Sequence, residues 1–244
     1  MRIRGENPVY KRATYDVDFT DRATYTGVVT KTIFLLALAA GVAFYFANFT
    51  VVNMSFPAII ATLIICPIFA FIMVIMAHKQ TEIAWIYAIV YALLEGAFLG
   101  LISLLVTMQV GFDGVVYALL GTFGTTLFML LIYSTGIINI TNRVKAFLTT
   151  ALISLIGVSI LFFILYSTGI ISGELSMGFY LTIVVVSVLL AAFYLLYDFK
   201  VINEHVEAGA SKNTEWSLSL GLMVTIVWLY IDLLRLVYYV LDRN

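Results

Sequence analysis

Apolar positions along this chain fall into long unbroken blocks rather than alternating, and short polar connections separate the blocks. Windows of about 20 residues isolate seven of them: Thr32 to Phe49, Phe56 to Ala77, Ile83 to Thr107, Val115 to Tyr133, Phe147 to Thr168, Gly178 to Tyr197 and Ser217 to Leu241. At about 1.5 Å per residue, each can cross a hydrocarbon core about 30 Å thick, some with tilt. Lipid leaves only helices or a closed barrel as spanning structures, and continuous apolar runs without period-two alternation predict helices. Connections such as "ANFTVVNMS", "QVGFDG" and "STGIINITNRVK" are short and carry turn residues, and no repeat or low-complexity tract interrupts the pattern. The expected fold is an all-α membrane protein, with a polar leader over residues 1–31 and a seven-helix transmembrane domain over residues 32–244.

Composition agrees. Hydrophobic residues make up 63% of the chain, charged residues 11%, and the mean hydropathy is +1.07, whereas ordinary soluble domains are about 25% charged. No sizeable soluble domain fits in what remains. The single cysteine, Cys66, lies inside an apolar run, excludes an intramolecular disulfide and reads as a small apolar side chain. The leader is too long and too polar to be the short basic region of a cleaved signal peptide, so the first apolar segment is expected to be retained as a span.

Charge then gives a direction. Six of the Lys and Arg residues lie in the leader, Lys79 in the second connection, Arg143 and Lys145 in the fourth, Lys200 and Lys212 in the sixth, and none in the first, third or fifth. By the positive-inside rule the N-terminus is cytoplasmic and the C-terminus outside, which an odd number of spans requires. The expected location is the bacterial plasma membrane.

Four ionisable residues lie at or within the spans: Glu95, Asp198, Asp232 and Arg235. A charge at the bilayer centre costs about 2.5–3.5 kcal/mol even on insertion scales, so each needs a partner or a function. Counted from the cytoplasmic end, Glu95 lies roughly 18 Å deep and Asp232 roughly 22 Å deep, which puts them in one layer. Arg235 follows Asp232 by three residues on the same helix face. One reading is a buried Asp-Arg-Glu network that fixes helix packing. The other is a polar lining for an ion or proton path, in which two carboxylates in apolar surroundings form a proton-sensitive pair. Asp198, at the cytoplasmic end of the sixth span, is either an interfacial charge or part of a mouth with His78 and Lys79, which close the second span on the same face. Small residues in "GAFLG" (Gly96, Gly100) and "GTFGTT" (Gly121, Gly124) stand at a spacing that lets helices approach closely.

The segments "FYLLYDFKVI", "YALLEGAFLGLIS", "NTEWSLSLGLMVTIVWLY" and "WLYIDLLRL" occur in the order and spacing of the Bax inhibitor-1 family, bacterial branch, and the chain resembles that family over nearly its whole length. The resemblance implies six helices around a central, polar-tinged seventh and a pH-dependent calcium leak. In that mechanism an aspartate ending the sixth helix and one in the seventh share a proton and hold a pore closed. Asp198 stands at the first position. Registering the seventh helix on its "LLR" places Thr225 at the second, with Asp232 two turns further on, and "MAHKQ" offers no arginine near the end of the second helix.

Two functions of different class follow. The first is a pH-sensitive cation leak or exchanger in which Asp198, Asp232 and Glu95 bind calcium transiently, because carboxylate oxygens suit hard divalent ions. The second is a regulator that binds a membrane protease or another membrane complex through the leader. No HExxH, GxSxG or phosphate-loop motif points to an enzyme. No resident cofactor and no nucleic-acid partner are expected.

Overall fold

The computed structural model describes residues 22–50, 55–138 and 140–241, so the first 21 residues of the expected leader over residues 1–31 lie outside the described residues. Among the described residues seven α-helices follow one another: α1 (Tyr25–Tyr45), α2 (Phe56–Lys79), α3 (Ala84–Val110), α4 (Phe112–Ser134), α5 (Asn142–Ser167), α6 (Gly173–Glu207) and α7 (Thr214–Leu241). All seven are long and apolar enough to span a membrane. Between α3 and α4 a single residue suffices: Gly111, at φ +84°, reverses the chain while its N–H donates to the Thr107 carbonyl at 3.0 Å.

Helix α7 is the most buried span. It packs against α1, α3, α4 and α6, with lighter contact from α2, while α5 packs chiefly against α6. One core cluster gathers Leu35, Ala39, Ala88, Leu99, Met223 and Leu234 from α1, α3 and α7. A second joins Val28, Leu195, Phe199, Ile202, Ile226 and Leu229 from α1, α6 and α7. The outer faces of α2 and α5 stay apolar and exposed, for example at Ile64, Phe71, Ile153 and Leu161, as a lipid-facing surface requires. On its inner side α5 stacks Phe162 against Phe179 of α6, with ring centroids 5.6 Å apart.

The two small-residue motifs behave differently. A side chain at Gly96 or Gly100 would meet the α1 backbone, with the Cβ at 2.7 Å from the Ala39 carbonyl or 2.5 Å from the Ala43 carbonyl. These glycines therefore set the close approach of α1 and α3. Gly121 faces only the end of Leu233, and nothing lies within 4 Å of a Cβ on Gly124. The second motif is not a close helix contact.

Two helices outrun their apolar windows the furthest. Helix α6 continues past Tyr197 to Glu207, because Phe199 and Ile202 turn inward and Lys200 pairs with Glu204 at 3.3 Å on the outside. Asp198 is thus inside the helix rather than at its end. Helix α1 starts at Tyr25, where the Thr24 side chain caps it by accepting from the Gly27 N–H at 3.0 Å. Residues 25–31 accordingly belong to the first helix and not to a separate leader.

Candidate functional site

Polar side chains interrupt the apolar surface of α7 at three levels, and each level has a different set of partners. The first turn carries Glu215, which is 2% exposed. Its carboxylate accepts the Thr24 N–H at 2.8 Å and the Thr24 hydroxyl at 3.1 Å, and Lys31 of α1 forms an ion pair with it. The Lys31 ammonium also lies 5.3 Å from the centre of the Trp216 ring. Just before α1, Arg22 bridges to Ser211 and the Ala23 N–H donates to the Ala210 carbonyl at 2.8 Å, which fastens the start of α1 to the α6–α7 loop. Sequence reading missed Glu215 because the apolar window opens at Ser217. The available signal was an acidic residue in a first helical turn, close to where a basic residue opens another span.

About 15 Å along α7, the Thr225 hydroxyl, which donates to the Gly221 carbonyl at 3.5 Å, faces the Asp198 carboxylate of α6. Oδ2 of that carboxylate is buried without a hydrogen-bond partner among the described residues. The register taken from "LLR" therefore has a spatial counterpart, since the residue facing Asp198 is Thr225. His78 and Lys79 are exposed at the end of α2, and among the described residues no hydrogen bond or ion pair joins either of them to Asp198. The mouth expected from these three residues does not form, because α2 packs on α3 and not on α6.

The third level lies about 10 Å further on. Asp232, 2% exposed, accepts a hydrogen bond from Ser187 of α6 on one oxygen and from Arg235 at 3.4 Å on the other. Trp228 in turn donates its indole N–H to the Ser187 hydroxyl at 3.0 Å, which holds the serine in place. Ser187 and Trp228 left no mark in the sequence, since serine and tryptophan are both ordinary in a membrane helix. The two aspartates thus occupy separate rungs of the α6–α7 interface, each facing a hydroxyl on the opposite helix. No hydrogen bond joins them among the described residues.

Asp232 and Arg235 also border a cavity of ≈ 410 Å³ between α3, α5, α6 and α7, and the remaining wall includes Glu95. Glu95 is 6% exposed, and among the described residues no hydrogen bond or ion pair reaches it. Tyr91, one turn before it, shares the cavity, as do Leu152, Leu155 and Ile156 of α5. The cavity exists because α5 leans on α6 through its aromatic residues and leaves the α3 side open. An adjoining space of ≈ 270 Å³ shares Ser159, Ser187, Asp232 and Arg235 and is otherwise lined mainly by Phe162, Tyr166 and Tyr180.

Chemically, Arg235 compensates Asp232, and Glu95 is left as a buried acid open to a cavity. Among the described residues no group of three or more His, Cys, Asp or Glu is gathered to hold a metal ion. Asp198, Asp232 and Glu95 therefore do not form one cage, because Asp198 sits on a different rung from the other two. A family model described as "Bax inhibitor 1 like" matches residues 7–242 of the chain. Comparison with curated proteins returns no match.

Proposed function

The chain belongs to the Bax inhibitor 1 like family of multi-pass membrane proteins, and on that premise we propose that it is a pH-sensitive cation leak or exchanger of the bacterial plasma membrane, its N-terminus cytoplasmic, with calcium as the favoured ion. One observation carries this reading: Glu95, Asp232 and Arg235 line a single cavity within the span of the bundle. An ion in that cavity meets the uncompensated carboxylate of Glu95 beside the Asp232–Arg235 pair. Passage is transient, since a retained calcium ion takes 6–8 oxygen ligands and the cavity gathers too few. Protons compete for the same carboxylates, which makes flux sensitive to pH.

The experiment is calcium entry into dye-loaded liposomes between about pH 5 and 8. Wild type is expected to admit calcium at a rate that changes with pH, and Asp232→Asn and Asp198→Asn to alter that dependence. Flux no greater than that of protein-free liposomes sinks the reading.

A second reading, a regulator that docks a membrane protease or another membrane complex, is favoured by the fastening of residues 22–24 to the α6–α7 loop, which fixes where the preceding segment emerges. Its test is deletion of residues 1–21, which spares the Thr24 cap. Unchanged capture of the partner excludes docking through that segment.

A further inference from the structure

We infer that the cavity between α3, α5, α6 and α7 is a binding site for an amphipathic organic cation, a primary ammonium on an apolar body. Size is the first ground. At ≈ 410 Å³ the cavity falls within the roughly 300–1,000 Å³ of small-molecule sites.

Charge selects the sign of the ligand. Asp232 is already matched by Arg235, and Ser187 holds its other oxygen. Glu95 remains, more than nine-tenths buried, facing the cavity and reached by no hydrogen bond or ion pair among the described residues. A carboxylate in apolar walls binds either a proton or a cation.

The walls select between kinds of cation. A divalent metal ion needs oxygen ligands on most sides, whereas here Asp232 is already held by Arg235 and Ser187, Ser159 adds one hydroxyl, and most of the remaining wall is apolar or aromatic, with Leu152, Leu155, Ile156 and the rings of Tyr91 and Trp228. An ammonium group suits that mixture. It donates to Glu95, its positive charge rests against the faces of the two rings, and its apolar body lies along α5. Ser159 uses its hydroxyl proton on the Leu155 carbonyl at 2.8 Å, so its oxygen is left as an acceptor toward the cavity. Beyond it, the adjoining space lined by Phe162, Tyr166 and Tyr180 gives room for a longer apolar tail.

This inference uses the cavity but not the leak. Amine binding without calcium flux would remove the proposed transport function and leave the site standing, and flux without amine binding would do the reverse.

The test is calorimetric titration of phenethylammonium, and of the uncharged 2-phenylethanol, into the full chain in lipid nanodiscs, with empty nanodiscs subtracted. Wild type is expected to bind the amine saturably and the alcohol at least about tenfold more weakly, the difference one charge-assisted hydrogen bond supplies. Glu95→Gln should weaken amine binding by a similar factor and leave alcohol binding unchanged. Leu155→Trp, which fills the cavity without touching a charge, should weaken both. Asp198→Asn should bind as wild type does. No saturable heat with wild type, equal binding of amine and alcohol, or full binding by Glu95→Gln overturns the inference.

Discussion

Glu215 and Glu95 are both glutamates in a membrane bundle, and both are almost wholly buried, at 2% and 6% exposure. Everything else about them differs. Glu215 has a lysine, a backbone N–H and a hydroxyl on its carboxylate, whereas Glu95 has no hydrogen bond or ion pair among the described residues and opens into a cavity. The first ties two helix starts together, and its burial is compensated by local donors. The second is compensated by nothing fixed, which is the condition for a group that exchanges protons or ligands. Burial alone does not separate structural acids from functional ones, but the inventory of partners does.

Five substitutions test that contrast, each read by unfolding in mixed micelles. Lys31→Met strips the cation from Glu215 and is expected to cost about 3–5 kcal/mol, the effect of breaking a buried pair. A loss under about 1 kcal/mol would mean the Thr24 donors suffice by themselves. Gly100→Leu forces apart the backbones of α1 and α3 and should cost about 3 kcal/mol, while Gly124→Ala, with open space around it, should stay within about 0.5 kcal/mol. Thr225→Val removes the hydroxyl that faces Asp198, whose Oδ2 lacks a hydrogen-bond partner among the described residues, for an expected loss of about 1.5 kcal/mol. Glu95→Gln, like Gly124→Ala, should change stability by no more than about 0.5 kcal/mol, because no partner is left behind. A large loss there would make Glu95 a structural acid like Glu215 and erase the contrast.

The same contrast explains what could be read from the residues alone. Asp232 and Arg235 stand out as charges in an apolar run, and Glu95 does so in α3, so the deep layer was legible one residue at a time. Their common cavity was not, because it depends on α5 packing chiefly on α6, where Phe162 stacks on Phe179 and sits tilted against Tyr180. All seven spans were legible for the reason that lipid enforces long apolar windows. Their ends were not. Helix α6 runs on to Glu207 and α1 starts at Tyr25 through capping and one-sided burial, which a hydropathy window averages away. Glu215 was lost for the same reason, since it belongs to a helix start and not to an apolar window. Thr225 opposite Asp198 was found only by registering α7 on its "LLR" motif, and Ser187 carried no signal at all.

One measurement bears most directly on the proposal that Glu95 and its cavity form the working site: calcium entry into dye-loaded liposomes containing Glu95→Gln, beside wild type at matched incorporation. The expected result is that entry falls to near the protein-free rate while the variant unfolds like wild type. Entry at the wild-type rate would contradict it, and would assign the calcium path to a route that does not pass Glu95.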